Sequence, residues 1–205
     1  GKIKIGSEIY HYNNSVNFNI NLGFESLKSN TAGTKNTAIG YQSKHSNTTG
    51  SNNTASGYQS LHSNTTGTSN SAFGSESLRS NTTASDNSSF GYFSLYSNTT
   101  GFNNSAFGRD SLMNNTTGSS NSAFGHSSLN FNISGKFNSS FGNQSLLSNE
   151  TGEHNSAFGY SSLYLNKSHY NSAFGYYSSY SNTNGQNNSA FGYNSLYTNS
   201  TGSDN

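Results

Sequence analysis

The sequence predicts an all-β chain: a β-solenoid, or parallel β-roll, of about twelve 17-residue coils. The first observation is a period. Glycines stand at 6, 23, 40, 57, 74, 91, 108, 125, 142, 159, 175 and 192, every step being 17 residues except the 16 from Gly159 to Gly175. Helix-based repeats need over about 30 residues per unit, so a shorter unit reads as one β coil. The second is composition. Only 28% of the 205 residues are hydrophobic and 8% charged, with 44 Ser and 35 Asn, too little apolar material for a thick globular core. Such a chain would read as disordered were it not for the period. The third is the absence of proline, which suits coils that donate backbone N–H groups to their neighbours.

The elements follow in chain order. Residues 1–22 are an atypical first coil and lead-in, and 23–205 are regular repeats forming one elongated domain. Lys2-Ile3-Lys4-Ile5-Gly6 alternates as a strand does and is in phase with the repeat, while Ile9, Tyr10, Tyr12 and Val16 replace Ser, Leu, Ser and Gly. From Gly23 the unit reads N-[ST]-A-F-G-Y-x-S-L-x-S-N-T-T-G-x-x. Asn-Ser-Ala-Phe-Gly-Tyr is expected as one short strand and Ser-Leu-x-Ser as a second. Asn-Thr-Thr-Gly is turn chemistry, because Asn and Gly both accept positive φ. The short step removes a residue within Asn166–Asn171, where the turn glycine is also missing. Deletions settle in loops, so that stretch is expected as a turn.

The expected core has one Phe and one Leu per coil. Its members are Phe73, Phe90, Phe107, Phe124, Phe141, Phe158, Phe174 and Phe191, with Leu78, Leu95, Leu112, Leu129, Leu146 and Leu163. The column after the glycine holds Phe24, Tyr41, Tyr58, Tyr92, Tyr160, Tyr176 and Tyr193. It is either an aromatic ladder covering the core or an exposed ladder that stacks on sugars or another chain.

Asn stands seven residues after the glycine in all twelve units. In ten of them it opens N-x-[ST]: Asn13, Asn47, Asn64, Asn81, Asn98, Asn115, Asn132, Asn149, Asn166 and Asn199. One reading is N-glycosylation. The other is a ladder of amides hydrogen-bonded from coil to coil. The two exclude each other for any one side chain. At the ends, the β-prone Ile3 and Ile5 and the consensus-like last coil with Tyr193 and Leu196 suggest head-to-tail assembly.

Asn36-Thr37-Ala38-Ile39-Gly40-Tyr41-Gln42-Ser43 and Asn188-Ser189-Ala190-Phe191-Gly192-Tyr193-Asn194-Ser195 resemble the head repeats of trimeric autotransporter adhesins and related repeats of bacterial surface proteins and phage tail fibres. The resemblance covers about residues 17–205. It implies a left-handed parallel β-roll, often trimeric, on an extracellular appendage, cell surface or virion fibre.

Other functions find little support. The net charge is +1, without the basic excess of a nucleic-acid binder. No apolar run is long enough to span a membrane as a helix. There is no thiol, hence neither a disulfide nor a cysteine metal site. His11, His45 and His62 share one column with Lys28 and Arg79 but with no carboxylate, which reads as a solvated basic stripe rather than a metal site. The carboxylates scatter over different columns, and no serine sits in a nucleophile motif. The chain is therefore read as a non-enzyme without cofactor. Its function is that of an adhesin-like, self-assembling extracellular fibre protein, whose partners are itself and a surface carbohydrate. Alternatives are an ice-binding solenoid using the Thr rows from Thr48-Thr49 to Thr116-Thr117, or an Asn/Ser/Tyr-rich assembly segment disordered as a monomer.

Overall fold

The computed structural model describes residues 2–5, 8–11 and 18–205. It is a β-solenoid of about ten turns. Eleven three-residue strands, from β3 (Ile20–Leu22) to β13 (Ser189–Phe191), stack in chain order into one parallel sheet. Pairing is in register by repeat position: Ser122 faces Ser139, Ala123 faces Ser140 and Phe124 faces Phe141. Across the short step Ser156 faces Ser172, so the missing residue is absorbed in the turn, as expected. No helix long and apolar enough to cross a membrane occurs among the described residues.

The chain start differs from expectation. β1 (Lys2–Ile5) and β2 (Glu8–His11) pair antiparallel, Lys2 opposite His11 and Ile5 opposite Glu8. The strands of the expected first coil therefore pair with each other outside the parallel sheet. Two β-prone runs only two residues apart close on each other at small entropic cost. Asn13 and the side chains of Ile3 and Ile5 lie outside the described residues.

The second expected strand is not one. After each strand glycine from Gly23 to Gly192 the chain alternates hands: Ser127 has φ +53° and Leu129 φ +52°, both left-handed. That conformation costs roughly 1 kcal/mol or more for a residue with a Cβ. Inter-coil bonding and burial of the leucine offset it. The amide of Ser127 donates back to Arg109 O (2.9 Å), and that of Leu129 donates forward to Ser145 O (2.9 Å). The alternation thus points successive amides at opposite neighbours, and the segment bonds along the axis without being a strand.

The interior corrects the expected core. Leu78, Leu95, Leu112, Leu129, Leu146 and Leu163 are fully buried, as are Ala106, Ala123 and Ala157. The phenylalanines are not in it. Phe73 is 37% and Phe191 68% exposed, and Phe90, Phe107, Phe124, Phe141, Phe158 and Phe174 are half-buried. Strand alternation is the reason: the Asn four before the glycine and the Ala two before it share the inward face, so the Phe next to that Ala points out. Alanine fits the inside because opposite walls stand close, and the buried asparagines fill the rest.

Coils this close admit no side chain at the strand glycine. Gly125 has φ +133°, and a Cβ there would lie 2.6 Å from the carbonyl oxygen of Gly142. Gly192, in the last coil, has φ +114° but no atom within 4 Å of such a Cβ. Gly125→Ala should therefore destabilise the fold by at least about 2 kcal/mol more than Gly192→Ala, the backbone penalty being common to both. Urea unfolding of the two variants checks this.

Candidate functional site

The asparagines seven after the glycine form a ladder. From Asn47 to Asn166, every such residue is fully buried. Asn98 Nδ2 donates to Asn81 Oδ1 of the preceding coil (3.0 Å) and to Gly101 O of its own turn (2.9 Å). The same pattern runs from Asn30 through Asn47, Asn64, Asn81, Asn98, Asn115, Asn132, Asn149 and Asn166 to Asn182. Glycosylation is overturned for these residues, because the nitrogen that would carry a sugar is buried and spent on two acceptors. Asn199 keeps only its turn bonds, Nδ2 donating to Gly202 O and Oδ1 accepting from Gly202 N, both at 3.0 Å. A second ladder runs from Asn19 to Asn205 on the other side of the coil. In it Oδ1 of Asn104 accepts from both the backbone N (3.1 Å) and Nδ2 (3.2 Å) of Asn121. The threonines at the start of the Thr pairs are similarly engaged: Thr65 Oγ1 donates to Thr82 O (3.0 Å).

With the interior occupied by structural amides, the chemistry that can meet a partner is outside. The eight phenylalanines from Phe73 to Phe191 stack with centroids 4.6–5.0 Å apart and planes within 3–9°. One residue past the glycine, Phe24, Tyr41 and Tyr58 stack at 5.7 and 5.5 Å, and Tyr160, Tyr176 and Tyr193 at 5.2 and 5.5 Å. Tyr41, Tyr58, Tyr92, Tyr160 and Tyr176 are more than two-fifths exposed and Tyr193 is 73% exposed, so this column is the outward ladder and not a cover for the core. Leu196 packs against the core. Among the columns flanking the phenylalanines, Arg109 is the one strong charge; it lies over the Tyr92 ring, 5.7 Å from its centroid.

Charge gathers elsewhere. Glu25 bonds Lys28 (2.5 Å) and Gln42 (2.9 Å), and lies 3.6 Å from His45 Nε2. The Lys28 bond, then that of Gln42, holds the Glu25 carboxyl below its usual range. His45 and His62 stack at 5.1 Å. Burial, then the neighbouring His45 and Arg79, pushes the His62 imidazole down. No three His, Asp or Glu side chains are grouped as metal ligands among the described residues.

Lys44 is a residue the sequence reading passed over. It replaces leucine four after the glycine and is fully buried between Leu27 and Leu61. Its Nζ donates to Asn47 Oδ1 (2.5 Å), an atom that also accepts from Asn64 Nδ2 (3.0 Å). Burial lowers its pKa from 10.5 to about 7. The break in the leucine column was the signal.

No family model, curated protein or solved structure matches the chain.

Two outcomes follow from this interior. Unfolded, Lys44 keeps its proton to about 10.5, whereas folded it releases it near 7. Between those values the unfolded chain binds more protons, so stability rises with pH, by up to about 1.4 kcal/mol per unit. Urea unfolding at successive values in the weakly alkaline range should show that slope. Lys44→Leu should flatten it and raise stability at neutral pH by about 2 kcal/mol. Asn98→Ala should cost about 2–4 kcal/mol, since it removes a buried amide and strands its partners on both sides. A melting temperature close to wild type would contradict the ladder's structural role.

Proposed function

We propose that the chain is a structural component of an extracellular, adhesin-like fibre, which assembles with copies of itself rather than turning over a substrate. The observation that carries this reading is the Phe73–Phe191 ladder. Eight half-buried or exposed phenylalanines form an unbroken apolar stripe, and contiguous apolar surface of this kind marks interaction sites. The stripe repeats at the 4.6–5.0 Å ring spacing of the coils. A second copy matches that repeat over its whole length, and other partners match it only locally. The Ser and Thr column on one side of the stripe carries no charge, and the column on the other carries one strong charge, Arg109, which lies beside Asp110 (3.1 Å), so like faces meet with little repulsion. The extracellular setting rests on the resemblance of Asn36–Ser43 and Asn188–Ser195 to adhesin head repeats.

Head-to-tail contact at Ile3 and Ile5 is a second route of assembly, to which the Lys2–Ile5 strand brings one edge, the other being paired with Glu8–His11.

Sedimentation equilibrium tests the reading. Wild-type protein should associate at micromolar concentration. A variant with Phe107, Phe124 and Phe141 all replaced by serine, the residue that Ser56 places in this column, should be monomeric with an unchanged β circular dichroism spectrum. Loss of the outward stacking should cost it about 0.5–1.5 kcal/mol per ring. A monomeric wild type, or a variant that associates equally well, would overturn the proposal. Antibody labelling of intact, unpermeabilised cells tests the location.

A further inference from the structure

The repeat breaks at two columns together over three consecutive coils. Six residues after the glycine the column is Ser or Thr in most coils and Asn114 in one, but it holds Phe131 and Leu165 with Ser148 between them. Eight after the glycine it is Thr from Thr31 to Thr116, then Ile133, Glu150 and Lys167, before returning to Thr183. The missing residue of the short step and the loss of the turn glycine at Ser168 fall at the same place. Asn132, Asn149 and Asn166, between these columns, stay in the ladder. The fold therefore does not require the exceptions, and they alter only the outer surface.

What they build is an open cavity of about 380 Å³ lined by Phe131, Ser148, Glu150, Leu165, Lys167 and Thr183. Phe131 and Leu165 are its walls and stand two coil repeats apart, about 9.6 Å. Ser148 is the floor. A flat ring halfway between the walls would lie one coil repeat, about 4.8 Å, from each. That is the separation at which Phe124 and Phe141 stack (4.7 Å). The cavity is thus a ladder with one rung missing. Its rim is polar: Lys167 Nζ lies 3.0 Å from Glu150 Oε1, and both side chains are about half exposed, so each keeps bonding capacity beyond the pair. The Ser148 hydroxyl adds a group that both donates and accepts, and Thr183 Oγ1, which donates to Ser200 O (3.0 Å), adds an acceptor.

We infer that this slot binds a neutral pyranose ring. The C–H face of the sugar would lie on Phe131 and Leu165, and its hydroxyls, each a donor and an acceptor, would bridge Glu150, Lys167, Ser148 and Thr183. A plain aromatic ring would satisfy the walls and leave that rim without partners. A charged ligand would meet a like charge beside the opposite one, because the rim is a balanced ion pair. The inference stands on different columns from the Phe73–Phe191 stripe and does not depend on self-association.

Saturation-transfer NMR with methyl β-glucopyranoside, methyl β-galactopyranoside and phenol as probes tests it. At least one pyranoside should bind saturably at millimolar concentration and more tightly than phenol. Ser148→Phe supplies the missing rung and should weaken that binding at least about tenfold. Phe131→Ser restores the usual residue of the column and should weaken it similarly. Both variants should keep the wild-type circular dichroism spectrum, and Phe131→Ser decides the matter if Ser148→Phe does not fold. Failure of both pyranosides to bind, tighter binding of phenol, or undiminished binding by Phe131→Ser would each overturn the inference.

Discussion

Each coil closes on a single carbonyl. Gly118 O accepts Nδ2 of Asn104 (2.9 Å) from one side of the coil and Nδ2 of Asn115 (3.0 Å) from the other. The carbonyl oxygens of those two amides are in turn engaged by the adjoining coil, Asn104 Oδ1 by Asn121 and Asn115 Oδ1 by Asn132. A pair of side chains therefore fixes the turn and the axial spacing together. Buried amides are costly when unpaired and nearly neutral when every group is bonded. This explains how an interior with one Ala and one Leu per coil holds together. Among the described residues, Asn21 Oδ1 and Ser179 Oγ are the only buried side-chain polar atoms without a partner, and each replaces the usual apolar residue of its column, Ala and Leu respectively.

The same economy decides where the aromatic rings go. With walls close enough for alanine, a phenyl ring has no room inside, and the alternation of the strand sends it out. There it meets its counterpart one coil away at a separation set by the backbone. Surface stacking is a by-product of the stack, and it becomes a recognition feature where it is continuous, as along Phe73–Phe191, or where one rung is absent, as between Phe131 and Leu165.

Much of this was legible in the sequence. The glycine period fixed the coil length, and the leucine column fixed one interior wall. The short step showed where a turn could lose a residue, since Ser168 O takes the place of the turn carbonyl and accepts from Asn166 Nδ2 (2.9 Å). The phenylalanines were misplaced because hydrophobicity outweighed alternation. Asn121 and Ala123 are two residues apart and buried, which leaves Phe124 outside. The second strand was misread because Ser-Leu-x-Ser has no glycine to betray positive φ, and Leu129 adopts it under the demands of inter-coil bonding. The hairpin at Lys2–His11 was hidden by its phase, which matches the repeat although its pairing partner does not. The slot needed the third dimension, because Phe131, Ser148 and Leu165 are 17 residues apart in sequence and adjacent only once stacked.

Near-identity of the units creates an ambiguity during folding. A strand such as Ser122–Phe124 pairs with Ser139–Phe141, yet Ser88–Phe90 offers it the same three side chains and several other strands differ only by Ala for the middle Ser. A growing stack could therefore skip one unit, expel it as a loop, and lose only that unit's contacts. The 16-residue coil breaks the degeneracy. Its turn is one residue shorter, and Asn171 bonds Asn166 Oδ1 within its own chain segment, five residues away. The coil before it carries Glu150, whose Oε1 accepts from Lys167 Nζ (3.0 Å), and a stack threaded one unit out would separate that pair. The irregular coil thus acts as a reference mark in an otherwise translation-invariant polymer, fixing where along the chain each unit belongs.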